Sequence, residues 1–396
     1  MVSLHSADVR AVNDRPRATN GRPYGFCRFI FVFCNRPIAA GDQMLFPWGK
    51  SQIAVQFGRE GQAPPLRIQA QGVALCLCFG VSYGIMDDKG CGDMIDFQRL
   101  KFTQKQDYEA ILFSGPARGC EYSFANLCLW GRQEVAFVHG CVAFFSHYYG
   151  RSVYPYPIGN GDRRAVIEEI LQDAKERGIP CRLTGLTESD RAELESWFPD
   201  KFLLRSNRSG FDYVYAIDDL ADLKGRKFQK KRNHANRFRA EHPGYEVVPL
   251  TVCNMAIARH MVNDWYVGRM KEDPEGDYLL ENIALARAFQ HYVPLGMDGI
   301  LLMDGGKVLA VTMGSRMGPD TFDIHFEKAR EDVDGAYTVV NQEFARYLRL
   351  KYPDAAYLDR EDDMGLEGLR RAKLSYNPHH LVEKFQATWA EDLYDA

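Results

Sequence analysis

Residues 299–359 read GILLMDGGKVLAVTMGSRMGPDTFDIHFEKAREDVDGAYTVVNQEFARYLRLKYPDAAYLD. Two apolar runs, Gly299–Met303 and Val308–Ser315, flank Asp304-Gly305-Gly306, a turn signal that makes them a β-hairpin. Thr321–Phe326 alternates at period two and is a third strand. Ala336–Lys351 is a helix, and Ala356–Asp359 returns to strand. Outward from this block, Tyr245–Leu250 is a strand and Ala256–Lys271 and Leu280–His291 are helices. Gly365–Ser375 is a last helix before a strand near Leu381–Phe385. The order β-α-α-β-β-β-α-β-α-β predicts an α/β unit, a mixed sheet flanked by helices.

Upstream, Met94–Phe102 reads as a strand, and Thr103 with Gln106 as a capping box for a helix to about Phe113. Four strands are expected at Tyr122–Leu129, Gln133–His139, Cys141–Ser146 and Ser152–Pro157. An amphipathic helix carrying Ile167, Ile170, Leu171 and Ala174 stops at Arg177, Gly178 and Pro180. A strand at Cys181–Leu183, a helix at Glu188–Trp197 and a strand at Tyr213–Ile217 complete a first unit of similar size, with no sequence repeat between the two.

The whole chain has 396 residues, 46% apolar and 26% charged, and a net charge of −4. That balance excludes disorder, collagen and coiled coil as its main theme, and any polyanionic partner must be met by a local patch. Ten cysteines without a CxxC pair fit scattered thiols in a reducing cytosol, so a cytoplasmic location is expected. Residues 1–93 differ from the rest, with one Glu, two Lys, eight Arg, five Cys and no sustained period. Their best apolar run, Gly72–Met86, is 15 residues, below the ~20 of a transmembrane helix. We expect translation to begin at Met94, an extra domain and a disordered or targeting extension being the alternatives. The expected organisation is a mis-assigned or disordered extension at 1–93, α/β units at 94–223 and 244–396, and a basic linker helix at 224–243.

Four stretches carry candidate chemistry. Lys224–Arg239 holds eight Lys or Arg and no acid in 16 residues, inside a 94–396 body of net −7 (39 basic, 46 acidic). It reads as a phosphate-binding face or as a solvated helix between domains. Asp323, His325 and Glu327 share one strand face, where a His and a carboxylate can deprotonate an amine nucleophile; the alternative is a hydrated polar face. Asp359-Arg-Glu-Asp-Asp363 lies at a strand end before a helix, where α/β sites form. Asp363 reads as an N-cap. Glu361 and Asp362 suit a cationic group, such as an α-amine or a lysyl ammonium, and no ligand set for a metal is apparent. Gly159–Asp162 reads as a tight turn with an Asp N-cap, with anion binding as the alternative.

Gly225–Asn233 with Asn236 and Phe238, His325–Ala329, Gly335–Tyr337, Asn341, Asp359–Gly365 and Gly368–Tyr376 together resemble the phosphatidylglycerol lysyltransferase C-terminal domain family. The resemblance runs from about Met94 to Trp389, and free-standing members are grouped as a domain of unknown function. It implies two tandem GNAT-like folds. Membrane-bound relatives move an aminoacyl group from charged tRNA to a lipid headgroup; no transmembrane segment is expected here, so a lipid acceptor is not implied. Two departures matter. Asp359 stands where relatives usually have Asn. Arg330–Ala336 lacks the glycine spacing of an acyl-CoA loop and supplies acids that repel a pyrophosphate.

The expected function is an aminoacyl- or acyltransferase with an amine or hydroxyl acceptor, be it a small molecule, a peptide or a lipid headgroup. Aminoacyl-tRNA, another phosphate-bearing donor or acyl-CoA supplies the group. His325 or Glu327 is the base. Asp359, Arg360, Glu361, Asp362, Lys373 and Tyr376 bind substrate, and Lys227, Lys230, Lys231, Arg232, Asn233 and Arg237 bind phosphate. The rivals are a non-catalytic module for an anionic metabolite or RNA, and an acyl-CoA N-acyltransferase.

Overall fold

The computed structural model describes residues 94–116, 118–131, 133–148, 150–273 and 278–393. Of the first 93 it describes two strand pairs, Ala11–Val12 with Phe29–Ile30 and Gln43–Trp48 with Ser51–Gln56. The apolar run at 72–86 and the late start at Met94 lie outside the described residues.

The body opens with α1 (Lys105–Ser114) and α2 (Phe124–Trp130). Strands β1 (Gln133–Val138), β2 (Cys141–Tyr148) and β3 (Arg151–Pro155) follow, then α3 (Arg163–Arg177), β4 (Arg182–Leu186), α4 (Glu188–Trp197) and β5 (Phe202–Ser206). Next come β6 (Asp212–Ala216), α5 (Ile217–Asp222), the basic helix α6 (Gln229–Glu241) and β7 (Glu246–Pro249). Helices α7 (Met255–Glu272) and α8 (Leu279–Gln290) precede β8 (Met297–Asp304), β9 (Lys307–Arg316) and β10 (Thr321–Ala329). The chain ends with α9 (Ala336–Lys351), β11 (Tyr357–Asp359), α10 (Glu367–Leu374), β12 (His380–Val382) and β13 (Phe385–Trp389). From β7 to β12 this is the predicted order.

One sheet runs β1-β2-β3-β4-β13-β5 and the other β7-β8-β9-β10-β11-β6-β12. Both are mixed: β3 with β4 and β10 with β11 are parallel, and the remaining pairs are antiparallel. Each sheet takes one strand from the other half of the chain. β6 sits in the second sheet between β11 and β12, and β13 sits in the first between β4 and β5. This exchange carries residues 384 and 212 to the same place.

Helix α9 shows why these residues fold as they do. Val339, Val340, Phe344 and Leu348 recur at helical spacing and are fully buried on the second sheet. Each large side chain so buried stabilises by about 1.5–3 kcal/mol. A second cluster joins both halves through Tyr108, Phe124, Met261, Leu285 and Met313. A third packs α3 on the first sheet.

Three local expectations are corrected. Residues 124–130 form a helix, not a strand. Ser123 caps it by accepting from the Asn126 N–H, and Gly131 ends it in the left-handed region. Its short apolar run has no period that separates helix from strand. Residues 94–101 add only a bridge from Gln98 to Val135. Strand β5 and helix α5 are additions that the pattern did not indicate. At Gly159–Asp162 the tight turn holds: Asp162 caps α3 through the Ala165 N–H. Gly161 packs against the His139 carbonyl, where a Cβ would lie 1.9 Å away.

Gly314 marks the irregularity between β9 and β10. A Cβ there would lie 2.1 Å from the Asp323 carbonyl oxygen, a backbone atom that cannot move aside. Gly314→Ala should therefore destabilise by about 1–3 kcal/mol through overpacking, read as a shifted urea midpoint.

Candidate active site

The end of β11 turns sharply. Glu361 has φ 59° and Met364 φ 51°, left-handed values that cost a side chain about 1–2 kcal/mol. Lys373, on α10, holds this turn. Its buried Nζ donates to the carbonyls of Arg360 (2.5 Å), Glu361 (3.1 Å) and Asp362. With three N–H bonds made inside the protein, it positions the loop instead of facing a ligand. Asp363 is likewise structural, but it is not the expected N-cap. It accepts from Arg370 at 2.8 and 2.9 Å, from the Tyr213 hydroxyl at 2.6 Å and from the Gly365 N–H at 2.9 Å. These donors hold its carboxyl well below the usual range, the Arg370 bond first.

Around the turn lie six carboxylates from four separate parts of the chain. Asp323 on β10 and Asp359 on β11 are register partners and fully buried. Asp212 begins β6, Glu121 precedes α2, and Glu361 and Asp362 follow β11. Lys384 reaches in from the link between β12 and β13. Its Nζ is 2.5 Å from Glu121 and 2.8 Å from Asp212. Burial opposes its charge, yet Asp212 leads the neighbours that keep its pKa well above normal. Burial raises Asp323, Asp359 and Glu121 above the ordinary carboxylate range, and raises Asp362 to about 6. Glu361 differs: burial pushes it up, but His325 and the Asn126 amide outweigh that and lower it.

Asp323, His325 and Glu327 do share a strand face, but they divide between two neighbourhoods. His325 Nδ1 lies 3.3 Å from Asp323 Oδ2 and 3.6 Å from Glu361 Oε1. Its Nε2 is 2.8 Å from Ser315 Oγ on β9. Asn126 Nδ2 stands 3.3 Å from Asp323 and 3.1 Å from Glu361. Glu327 instead accepts from Arg360 at 3.0 Å and from Asn341 at 3.1 Å. Arg360 lies 4.8 Å from the Tyr376 ring centre, and Lys231 Nζ lies 3.6 Å from the same ring.

Lys231 connects this second neighbourhood to a cleft of about 290 Å³ between α6 and the start of α9, lined also by His234, Arg330, Glu331, Asp334, Gly335 and Tyr337. Burial, then Arg360, brings the Lys231 ammonium down to about 8. The other basic residues are less free than their sequence suggests. Lys227 pairs with Asp219 at 2.7 Å and Arg237 with Asp334 at 2.6 Å. Arg232 donates to the carbonyls of Leu223 and Gly225. Lys230 and Asn233 are exposed.

Asn126, Asp212, Glu121, Ser315 and Lys384 belong to the site and escaped the sequence reading. Each is a single polar residue in an ordinary element, with no spacing to single it out.

A family model described as phosphatidylglycerol lysyltransferase, C-terminal, matches residues 114–388. A conserved protein of unknown function from Bacteroides thetaiotaomicron is 35% identical, with a TM-score of 0.72 over 75% of this chain and 100% of that one. L-PGS from Bacillus licheniformis is 16% identical, with a TM-score of 0.52 over 72% of this chain and 91% of that one, a likeness of fold alone. An uncharacterised protein of Mycoplasmoides gallisepticum is 26% identical over 197 residues, 49% of this chain. The match spans only 61% of that relative's length. The architecture, two mixed sheets flanked by helices, is the α/β one predicted, and L-PGS shares it. The match over most of its length places this chain in the phosphatidylglycerol lysyltransferase C-terminal family.

Proposed function

We propose that the chain is an aminoacyl- or acyltransferase that carries its donor between the α6 cleft and the acidic turn. The observation that supports this is the charge imbalance at the turn. Among the described residues, Lys384 is the ammonium that bonds its carboxylates, and it bonds two of the six. Unpaired buried carboxylates are costly, and an ammonium brought by the substrate offsets that cost. An α-amine held near Glu361 and Asp362 matches an aminoacyl donor better than an acetyl group.

The donor's phosphates would lie at Lys231 and Lys230, leaving Arg232 and Arg237 to hold the helix in place. Glu327, beside Lys231 and bonded to Arg360, is the base we favour toward an amine or hydroxyl acceptor. Among the described residues no helix is long and apolar enough to cross a membrane. Transfer of radiolabelled amino acid from charged tRNA to acceptors in a lysate tests the reading.

The cleft makes a separate prediction. Lys231 loses its charge near pH 8, where a surface lysine would keep it. Charged hydrogen bonds contribute about 1.5–3 kcal/mol. Inorganic phosphate affinity, read by calorimetry, should fall by up to about tenfold from pH 7 to pH 9, as the charged fraction of Lys231 drops about tenfold. Lys231→Gln should bind weakly throughout and lose that dependence. An unchanged pH profile in the variant would place the anion elsewhere.

A further inference from the structure

We propose that Asp323, His325 and Glu361 form a binding site for one first-row divalent cation of the zinc class. This goes beyond the transferase reading and does not rest on it.

Two clusters of ligand-type side chains meet at the acidic turn, and they differ in one respect. Cys120, Glu121 and Asp212 surround an ammonium of the protein's own: Lys384 Nζ, 2.5 Å from Glu121, 2.8 Å from Asp212 and 3.9 Å from Cys120 Sγ. Asp323, His325 and Glu361 gather just as closely, with one ligand atom from each inside 4.8 Å of the others. No lysine or arginine bonds the facing oxygens of this second cluster among the described residues. Two carboxylates and a neutral imidazole would be neutralised by a divalent ion, as Lys384 neutralises its neighbours.

The geometry is that of a ligand set. His325 Nδ1 is 3.3 Å from Asp323 Oδ2 and 3.6 Å from Glu361 Oε1. Nitrogen and oxygen ligands about 2.0–2.2 Å from an ion, at tetrahedral angles, stand roughly 3.3–3.6 Å apart. His325 is 8% exposed. Its buried Nδ1 has no hydrogen-bond partner, and the same holds for Asp323 Oδ1. A nitrogen 3.3 and 3.6 Å from two carboxylates without a well-formed hydrogen bond to either is an unusual arrangement for a buried polar group.

The surroundings match a metal site's supporting shell. His325 Nε2 bonds Ser315 Oγ at 2.8 Å, which fixes the ring and leaves Nδ1 for an ion. Asn126 Nδ2 donates toward both carboxylates, and its own Oδ1 is held by Trp130 Nε1 at 3.3 Å, which keeps the amide oriented. An imidazole among the ligands favours zinc, iron or nickel over magnesium, calcium or manganese. Glu361 offers Oε1 to the ion, so its second oxygen is not required there.

The test is titration of the full chain, stripped by chelator, with Co²⁺ under visible spectroscopy. One equivalent should bind with ligand-field bands and be displaced by Zn²⁺. His325→Gln and Glu361→Gln should each abolish the bands, and Cys120→Ser should keep them. Ser315→Ala removes no ligand and should weaken Co²⁺ binding roughly 10–100-fold; it keeps the test open should His325→Gln fail to fold. Folded wild type with no bands and no stoichiometric metal would overturn the proposal. Bands that survive both ligand substitutions would overturn it as well. Neither result depends on a donor or an acceptor, so each is separate from failure of the transferase assay.

Discussion

Replacing Lys384 with Met lowers the unfolding free energy by about 3–5 kcal/mol. Lys384 Nζ is the partner of Glu121 at 2.5 Å and of Asp212 at 2.8 Å, and Asp212 is 0% exposed. The lost ammonium leaves two buried carboxylates facing each other without a counter-charge. They must either stay ionised in a poorly solvated site or take up protons; both routes cost stability. The position magnifies the effect. Lys384 adjoins Phe385, where β13 enters the first sheet, so its ion pairs help fix the strand exchanged between the halves. Urea denaturation measures the loss. Lys384→Met with Asp212→Asn should recover much of it, because the second change removes the orphaned charge. A single variant that loses under about 1 kcal/mol, the range of an exposed pair, contradicts this account.

Glu361→Gln lowers kcat/KM of the proposed transfer by roughly 30-fold to several thousand-fold, the equivalent of about 2–5 kcal/mol for losing one member of a buried charge pair. The side chain is nearly isosteric, and its Oε1 can still accept from Asn126 Nδ2, now at 3.1 Å. Stability should therefore change little while activity collapses. The substitution also removes a carboxylate from the divalent-ion site, so Asp362→Asn serves as its companion. A donor amine held by both acids predicts loss in both variants. A role through the ion alone predicts loss in Glu361→Gln only, together with loss of the Co²⁺ bands.

The fold was legible where its elements are long and periodic. Helix α9 and the β8–β9 hairpin followed directly from spacing and turn glycines, and the whole β7 to β12 order came with them. Residues 124–130 were not legible, since an apolar run of that length suits a buried strand equally well. The strand exchange was invisible, because pairing partners such as Ala216 with Tyr357 or Thr388 with Arg182, far apart in the chain, leave no local trace. The site divides in the same way. Asp323, His325 and the 359–363 run stood out because several ionisable residues sit close together in the chain. Lys384 and Asp212 became partners only through the exchange. The basic segment looked uncompensated because its acids, Asp219 and Asp334, lie on other elements.

The central claim is that the acidic turn receives the amine of an activated amino acid. The most direct measurement supplies tRNA charged with radiolabelled amino acids to the full chain together with a lysate fractionated into lipids, peptides and small amines. The account predicts label in one acceptor fraction, resistant to ribonuclease, and little or none with folded Glu361→Gln. Label that stays on the tRNA in every fraction, with folded wild-type protein, would contradict it.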